Sequence, residues 1–320
     1  MPEIISLGEL LVEIMRTERG VSLNREGLFA GPFPSGAPAI YINQAARLGA
    51  LAGFIGVCGK DDFGRLIADC LEANRVDTHR IKFIEGWTTG CAFVTYASDG
   101  SRQFIFHLAH SAAGLLGEDD IDPGYFKDVK LLHIMGSSLS VSESSRDACY
   151  KAIELTKERG GLVSFDPNLR PELMPIDQIR EICWPVKQAA DIILPSGEEA
   201  SMLTGIEDAG DACRELLSWA KIVGLKLGAQ GSKVFTKDQE VEVASIEAEE
   251  VDPTGAGDCW DAGFTVAYLE GRSLEDCARF ANVVGALSVT KLGPMAGAPS
   301  RTEVEKSMGL KPQAEEPKGH

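Results

Sequence analysis

The eight cysteines (58, 70, 91, 149, 183, 213, 259, 277) include no Cys-x-x-Cys pair, so neither a zinc site nor a dense disulfide framework is suggested, and reduced thiols in a cytoplasmic setting are the expectation. There is no Gly-x-x-x-x-Gly-Lys-Ser/Thr loop. After Gly255 and Gly257 the third glycine of a dinucleotide fingerprint is replaced by Trp260, which disfavours a nicotinamide oxidoreductase. Basic residues are scarce. With 31 Lys and Arg against 48 Asp and Glu, the formal net charge is -17, which argues against a nucleic-acid or anionic-membrane partner, because both need surplus cations. No apolar run approaches the ~20 residues needed to span a bilayer, and Met1-Pro2-Glu3 does not read as the basic start of a signal peptide. What remains is a chain of 320 residues, 44% hydrophobic, able to bury a large core as one large domain or two.

Val251-Asp252-Pro253-Thr254-Gly255-Ala256-Gly257-Asp258 precedes a mostly apolar stretch that runs through Ala262, Phe264, Val266 and Leu269 to Gly271, the pattern of a helix with a glycine stop. Two glycines let the backbone approach a ligand closely, and the free N–H groups and dipole of a helix N-terminus favour an anion there. Asp258 would repel a phosphate bound to itself, but it suits a neighbouring task. It can accept a proton from a hydroxyl that attacks a phosphoryl group held by those amides. Read alone, these residues equally describe a turn and helix cap.

Short apolar strands are predicted at 4–8, 51–57, 131–135, 162–165, 191–194 and 222–227. They alternate with helices at 39–48, 63–72, 143–157, 177–186 and 211–219. That alternation implies an α/β fold with a mainly parallel sheet, helices on both faces and ligands at the strand C-terminal ends. Segments 13–33 and 87–107 break the rhythm; the second reads as a hairpin turning at Asp99-Gly100. A small β-sheet lid over the pocket is the economical interpretation. Residues 311–320 are polar and proline-containing, and disorder is expected there.

These pieces resemble the ribokinase (PfkB) family of carbohydrate kinases, with fructokinases and 2-keto-3-deoxygluconate kinases the nearest in pattern. Besides 252–258, the resemblance rests on Ser35-Gly36-Ala37-Pro38, Ile55-Gly56-Val57-Cys58-Gly59-Lys60-Asp61-Asp62, Phe165-Asp166-Pro167-Asn168-Leu169-Arg170, Lys226-Leu227-Gly228-Ala229-Gln230-Gly231 and Ala281-Asn282-Val283-Val284-Gly285, in order. Counting the 35–38 and 55–62 segments as one, five motifs over about 250 residues make a chance match very unlikely. The resemblance implies one ribokinase-like domain over 1–310 that transfers a phosphoryl group from ATP, with Mg2+, to a sugar. Asp258 would be the general base, without needing a strongly perturbed carboxyl, and Gly255, Ala256 and Gly257 would hold the transferring group. Ser196, Lys226, Gly228, Ala229, Gln230, Gly231 and Asn282 would surround ATP. Gly36, Ala37, Glu13, His107 and Arg170 would meet the sugar. Glu199 would help to organise Mg2+, and Asp252 and Thr254 fit a monovalent cation such as K+ by resemblance. A homodimer formed through the lid is the expected assembly.

The chain departs from the family pattern in four places: Ser196 and Ile40 stand where Asn is usual, Glu13 where Asp is usual, and Leu108 where an acid-binding site would place Arg. A missing bidentate Arg costs a charged substrate about 1.5 to 3 kcal/mol, so a neutral ketohexose is favoured over 2-keto-3-deoxygluconate. A nucleoside kinase and a sugar-binding regulator without turnover are the alternatives.

Overall fold

The computed structural model describes residues 1–97 and 102–310, so the turn expected at Asp99-Gly100 and the 311–320 tail lie outside the described residues. In chain order the strands are β1 (Ile4–Glu9), β2 (Leu11–Arg16), β3 (Phe29–Ser35), β4 (Ala52–Gly59), β5 (Asp77–Ile84), β6 (Gly90–Tyr96), β7 (Arg102–His107), β8 (Leu131–Met135), β9 (Leu162–Asp166), β10 (Ile192–Ile193), β11 (Ile222–Lys226), β12 (Ser232–Phe235) and β13 (Glu240–Val243). The helices are α1 (Ala37–Arg47), α2 (Asp62–Ala73), α3 (Gly136–Val141), α4 (Glu143–Glu158), α5 (Ile176–Ala189), α6 (Gly197–Thr204), α7 (Ala209–Leu216), α8 (Ala256–Leu269), α9 (Leu274–Ser288) and α10 (Arg301–Ser307).

Nine strands form one sheet in the order β13-β12-β11-β10-β9-β8-β1-β4-β5. β5 through β11 are parallel, and the β12–β13 edge is antiparallel. Because β1 and β8 are buried on both faces, they are mostly apolar without strict alternation, and their polar members, Ser6 and His133 among them, are themselves buried, with Ser6 Oγ donating to His133 O. Successive side chains of β4 point to opposite faces: Phe54 joins a core with α1, α2, α8 and α9, while Ile55 and Val57 join the core under α4, α5, α6 and α7. Each fully buried Phe or Leu in these layers contributes about 1.5–3 kcal/mol of transfer free energy.

The two irregular segments combine into a second sheet, β3-β2-β6-β7. β2 follows β1 after Leu10 alone, so the first strand leaves the core sheet and runs directly into the lid. The root of β6 is tied down at Thr89, whose N–H and hydroxyl both donate to Asp61, the cap of α2. This is a structural use for the Gly59-Lys60-Asp61-Asp62 motif. Among the described residues no helix is long and apolar enough to cross a membrane.

Candidate active site

Helix α8 starts where the sequence places it, with Gly255 as its cap at φ 82. A Cβ at Gly255 would lie 2.9 Å from Pro294 O and 3.1 Å from Ile40 Cγ2, so glycine is required both by conformation and by space. Ile40 is thus a packing residue under this turn, buried in the core on α1. Asp258 lies on the first turn of α8 and is buried. Burial, together with the nearby Asp166, raises its carboxyl to about 7, against the opposing pull of Lys226, Arg170 and Arg102. The base role does not need a strongly perturbed carboxyl, yet the low-dielectric floor of the site raises Asp258 well above the usual carboxylate range.

On one side of α8 a cavity of about 580 Å³ is lined by Lys226, Gly228, Ala229, Gly231, Ala256, Gly257, Trp260 and Asn282, together with segment 245–248. Gly231 has φ 107, and a Cβ there would lie 2.1 Å from Val243 O, so the 228–231 turn can close only as glycine. Gln230, expected at the nucleotide, is exposed and does not line the cavity, because the turn points its side chain outward. Asn282 does line it, but its polar atoms are spent. Its Oδ1 accepts from Trp260 Nε1 at 2.7 Å, and its Nδ2 donates to Val243 O and Ala244 O at 2.9 and 3.3 Å. It therefore fixes the cavity wall.

On the other side lies the lid. Glu13 is 5% exposed; its Oε1 accepts from Ser35 Oγ at 2.6 Å, and its Oε2 has no partner among the described residues. Burial raises its carboxyl to about 7; Asp252 adds to this, while the Ser35 bond, Arg102 and Arg170 oppose it. Gly36 caps α1 at φ 110, and a Cβ there would strike Glu9 O at 2.4 Å, which seats the Gly36-Ala37 backbone against the end of β1. Arg170 is half-buried and acts electrostatically on Glu9, Glu13 and Asp258.

His107 is corrected. In β7, paired with Cys91 and packed edge-on against Phe93, it shares the lid face of Phe93, whereas Glu13 lies on the face of Leu11, Met15 and Tyr96. The period of two in a strand turns it away from the sugar side. Leu108 is 4% exposed and packs with Leu11, Ala92, Ala113 and Val141. It presents no cation, as expected, but Arg102 on β7 does: its Nη1 lies 3.4 Å from Thr254 Oγ1.

Ser196 and Glu199 form a capping box at α6, with Ser196 N–H donating to Glu199 Oε2 at 2.8 Å and Leu169 N–H to Oε1 at 3.2 Å. Ser196 does not line the nucleotide cavity; it serves as the helix cap and pairs with Lys226 through a backbone bridge. Each Glu199 oxygen keeps a lone pair after these bonds, so the half-buried carboxylate fits a water of a hydrated Mg2+. Asp252 accepts from Tyr96 OH at 2.6 Å, Thr254 N–H at 3.0 Å and Gly293 N–H at 2.8 Å. A monovalent cation at Asp252 and Thr254 would have to share this carboxylate with three donors, whose evident work is to anchor the turn before α8. Sequence reasoning missed Tyr96, Arg102 and Asp261; of these only Asp261 carried a signal, as an acid one turn beyond Asp258 in an otherwise apolar helix.

Comparison with known proteins places this geometry. Residues 1–301 match the family described as "pfkB family carbohydrate kinase". The chain is 36% identical to probable fructokinase-2 of Arabidopsis thaliana, over 98% of this chain and 97% of that protein. An E. coli protein solved under the name ribokinase II, in complex with ATP and Mg2+, superposes with a TM-score of 0.90 at 38% identity, covering 97% of this chain and 99% of the other. A double mutant of fructokinase from Vibrio cholerae O395, bound to fructose, ADP and potassium ion, superposes at 0.82 with 29% identity, covering 95% of this chain and 97% of the other.

Proposed function

Because the chain belongs to the pfkB family of carbohydrate kinases, and thus phosphorylates a sugar with ATP, we propose that its acceptor is a neutral ketohexose, fructose or a close isomer, phosphorylated at a primary hydroxyl. What supports this is the buried Asp258 on the first turn of α8, next to Ala256 and Gly257 of the nucleotide cavity, together with the buried lid residue Glu13, whose Oε2 has no partner among the described residues and is suited to a sugar hydroxyl. Relatives at 36% identity over nearly the whole chain carry the name fructokinase.

The sugar sits under the lid with one hydroxyl toward Asp258, and ATP fills the cavity on the far side of the α8 turn. As the hydroxyl oxygen attacks the γ-phosphorus, its proton passes to the Asp258 carboxylate. The bond from phosphorus to the bridging oxygen breaks, and ADP leaves with that electron pair. The Gly255 and Gly257 amides face the equatorial oxygens and cost no reorganisation, while the Ala256 N–H donates to Pro253 O at 3.3 Å. Mg2+ carried by ATP offsets triphosphate charge, and Glu199 is the side chain suited to hold one of its waters. Asn168 donates toward Asp258 and keeps the base oriented.

A second reading is a sugar acid, favoured by one observation: Arg102 and Arg170 both act on Glu13 and Asp258. Screening ketohexoses, aldoses, sugar acids and nucleosides for ADP release decides. A kcat/KM for 2-keto-3-deoxygluconate ten times that of every neutral hexose would replace fructose with the acid, a preference for nucleosides would replace both, and sugar binding without turnover would favour the regulator.

A further inference from the structure

Directly beneath the turn that faces the phosphoryl group lies a buried charge cluster that the transfer step above does not use. Lys226, at the end of β11, reaches across to two carboxylates. Its Nζ lies 2.8 Å from Asp166 Oδ2 and 3.1 Å from each of Asp261 Oδ1 and Oδ2. Asp166 is 2% exposed and Asp261 is fully buried. Lys226 Nζ is also 3.6 Å from the point a Gly257 Cβ would occupy, so the ammonium touches the N-terminal turn of α8. Asp261 is three residues beyond Asp258 on the same helix, and carboxylate oxygens of Asp166, Asp258 and Asp261 all lie within 4.8 Å of one another. Three acids this close would suggest a cation, and Lys226 already supplies one, covalently tethered.

We propose that Asp261 is a positioning residue: with Asp166 it clamps the Lys226 ammonium against the Gly255–Gly257 turn, fixing a positive charge behind the amides that receive the transferring phosphoryl group. The inference rests on the phosphoryl-transfer reading and adds a residue to it. Without Asp261 the ammonium would have another acid within reach, the base itself, whose carboxylate lies within 4.8 Å of those of Asp166 and Asp261. An ammonium that swung onto Asp258 would stabilise the carboxylate as an ion and weaken it as a proton acceptor. Asp261 holds both of its oxygens on Nζ and prevents that swing. Burial disfavours charge on Lys226, yet Asp166 and Asp261 keep it protonated. Burial also raises Asp261, and Lys226 opposes that. The charged and titratable groups facing Asp258 are Asp166, Lys226, Arg170, Arg102 and Asp261.

The test compares the full-length wild type with Asp261→Leu and Asp261→Asn, using fructose and MgATP across pH, alongside MgATP titration without sugar and thermal unfolding. In Asp261→Leu we expect kcat to fall about tenfold or more, MgATP to bind more weakly and the sugar KM to hold. The acid limb of the rate should move to lower pH as Lys226 turns toward Asp258. Asp261→Asn keeps one oxygen on Nζ and should retain kcat within about threefold. If Leu keeps both kcat and the position of the limb, or if Asn is as impaired as Leu, the clamp is refuted; a merely structural residue would lower the melting temperature and leave the limb in place. Should Leu not fold, Asp261→Ser withdraws the acceptor from Nζ and is read in the same way. A wild type without turnover on any sugar would strike the kinase reading, and the clamp would then stand or fall on the MgATP titration.

Discussion

Asn168 Nδ2 lies 3.5 Å from Asp258 Oδ1, and Asn168 itself stands at φ 36, in the left-handed region that Asn tolerates better than most residues. The Asp166-Pro167-Asn168 turn at the end of β9 is thereby bent so that its amide orients the base on α8. Asp258→Asn keeps the size and loses the proton acceptor. Turnover should fall ~10²–10⁴-fold, with folding and MgATP binding nearly intact. A variant that retains more than about a tenth of wild-type kcat removes Asp258 from the role of base.

Activity should rise with pH through about 7, because the Asp258 carboxyl, raised to about 7 by burial, must be ionised to accept the proton. The acid limb of kcat/KM reports the free enzyme, so the profile is measured at sub-saturating sugar. An ordinary exposed carboxylate would place that limb about three units lower; a flat profile between about pH 5 and 8 contradicts the burial argument.

Stability should move the opposite way. Asp258 and Glu13 are both held at about 7 in the folded protein, above the ordinary carboxyl values of an unfolded chain. Their contribution is fully present below those ordinary values and is lost as pH rises through the folded value. The melting temperature without ligand should therefore fall between about pH 5 and 8, by roughly 2–4 °C for each kcal/mol lost. Asp258→Asn combined with Glu13→Gln should flatten this slope, and an unchanged slope in that double variant would assign it to other groups.

Buried parallel strands such as Leu131–Met135 are legible in sequence because both faces meet helices and four of its five residues are apolar, His133 being the exception. β5 and β13 are not. Asp77-Thr78-His79-Arg80 and Glu240-Val241-Glu242-Val243 are half-exposed edge sequences whose charges belong to solvent and to cross-strand pairs such as Lys233–Glu242. The α8 cap and the glycine turn are legible for the same reason that they work: glycine is needed at positive φ. His107 was misassigned because a motif position does not give the face of a strand, and the packing of Ile40 under the α8 turn is likewise not written in its motif. Tyr96 reaching Asp252 across 156 positions leaves no local trace.

The outer face of the lid carries Phe29 at 39% and Ile105 at 49% exposure, with Phe93 packed edge-on against Phe29 at 5.8 Å. Phe104 and Phe106 stack on the inner face instead. A homodimer through the outer face is the expected assembly, and Ile105→Glu should convert it to monomer in light scattering at micromolar concentration. A wild type that is already monomeric there removes the dimer and leaves the lid.

On the proposed function, discrimination between sugars should turn on Arg102 and Arg170, the cations that act on Glu13 and Asp258, rather than on position 108. Leu108→Arg would bury a charge in the apolar cluster of Leu11, Ala92, Ala113 and Val141, so it should destabilise the lid rather than recruit sugar acids. Arg102 reaches Thr254 from the lid and acts on the base. If the acceptor is neutral, Arg102→Leu should raise the acid limb slightly, since a nearby cation no longer favours ionised Asp258, and should lower kcat/KM for fructose less than about tenfold. If the acceptor is a carboxylate, the same change removes a charge-assisted contact, and kcat/KM for the acid should fall tenfold or more through KM. Measuring both sugars on one variant separates the cases: a loss confined to sugar acids, with the acid the better wild-type substrate, would overturn the neutral ketohexose.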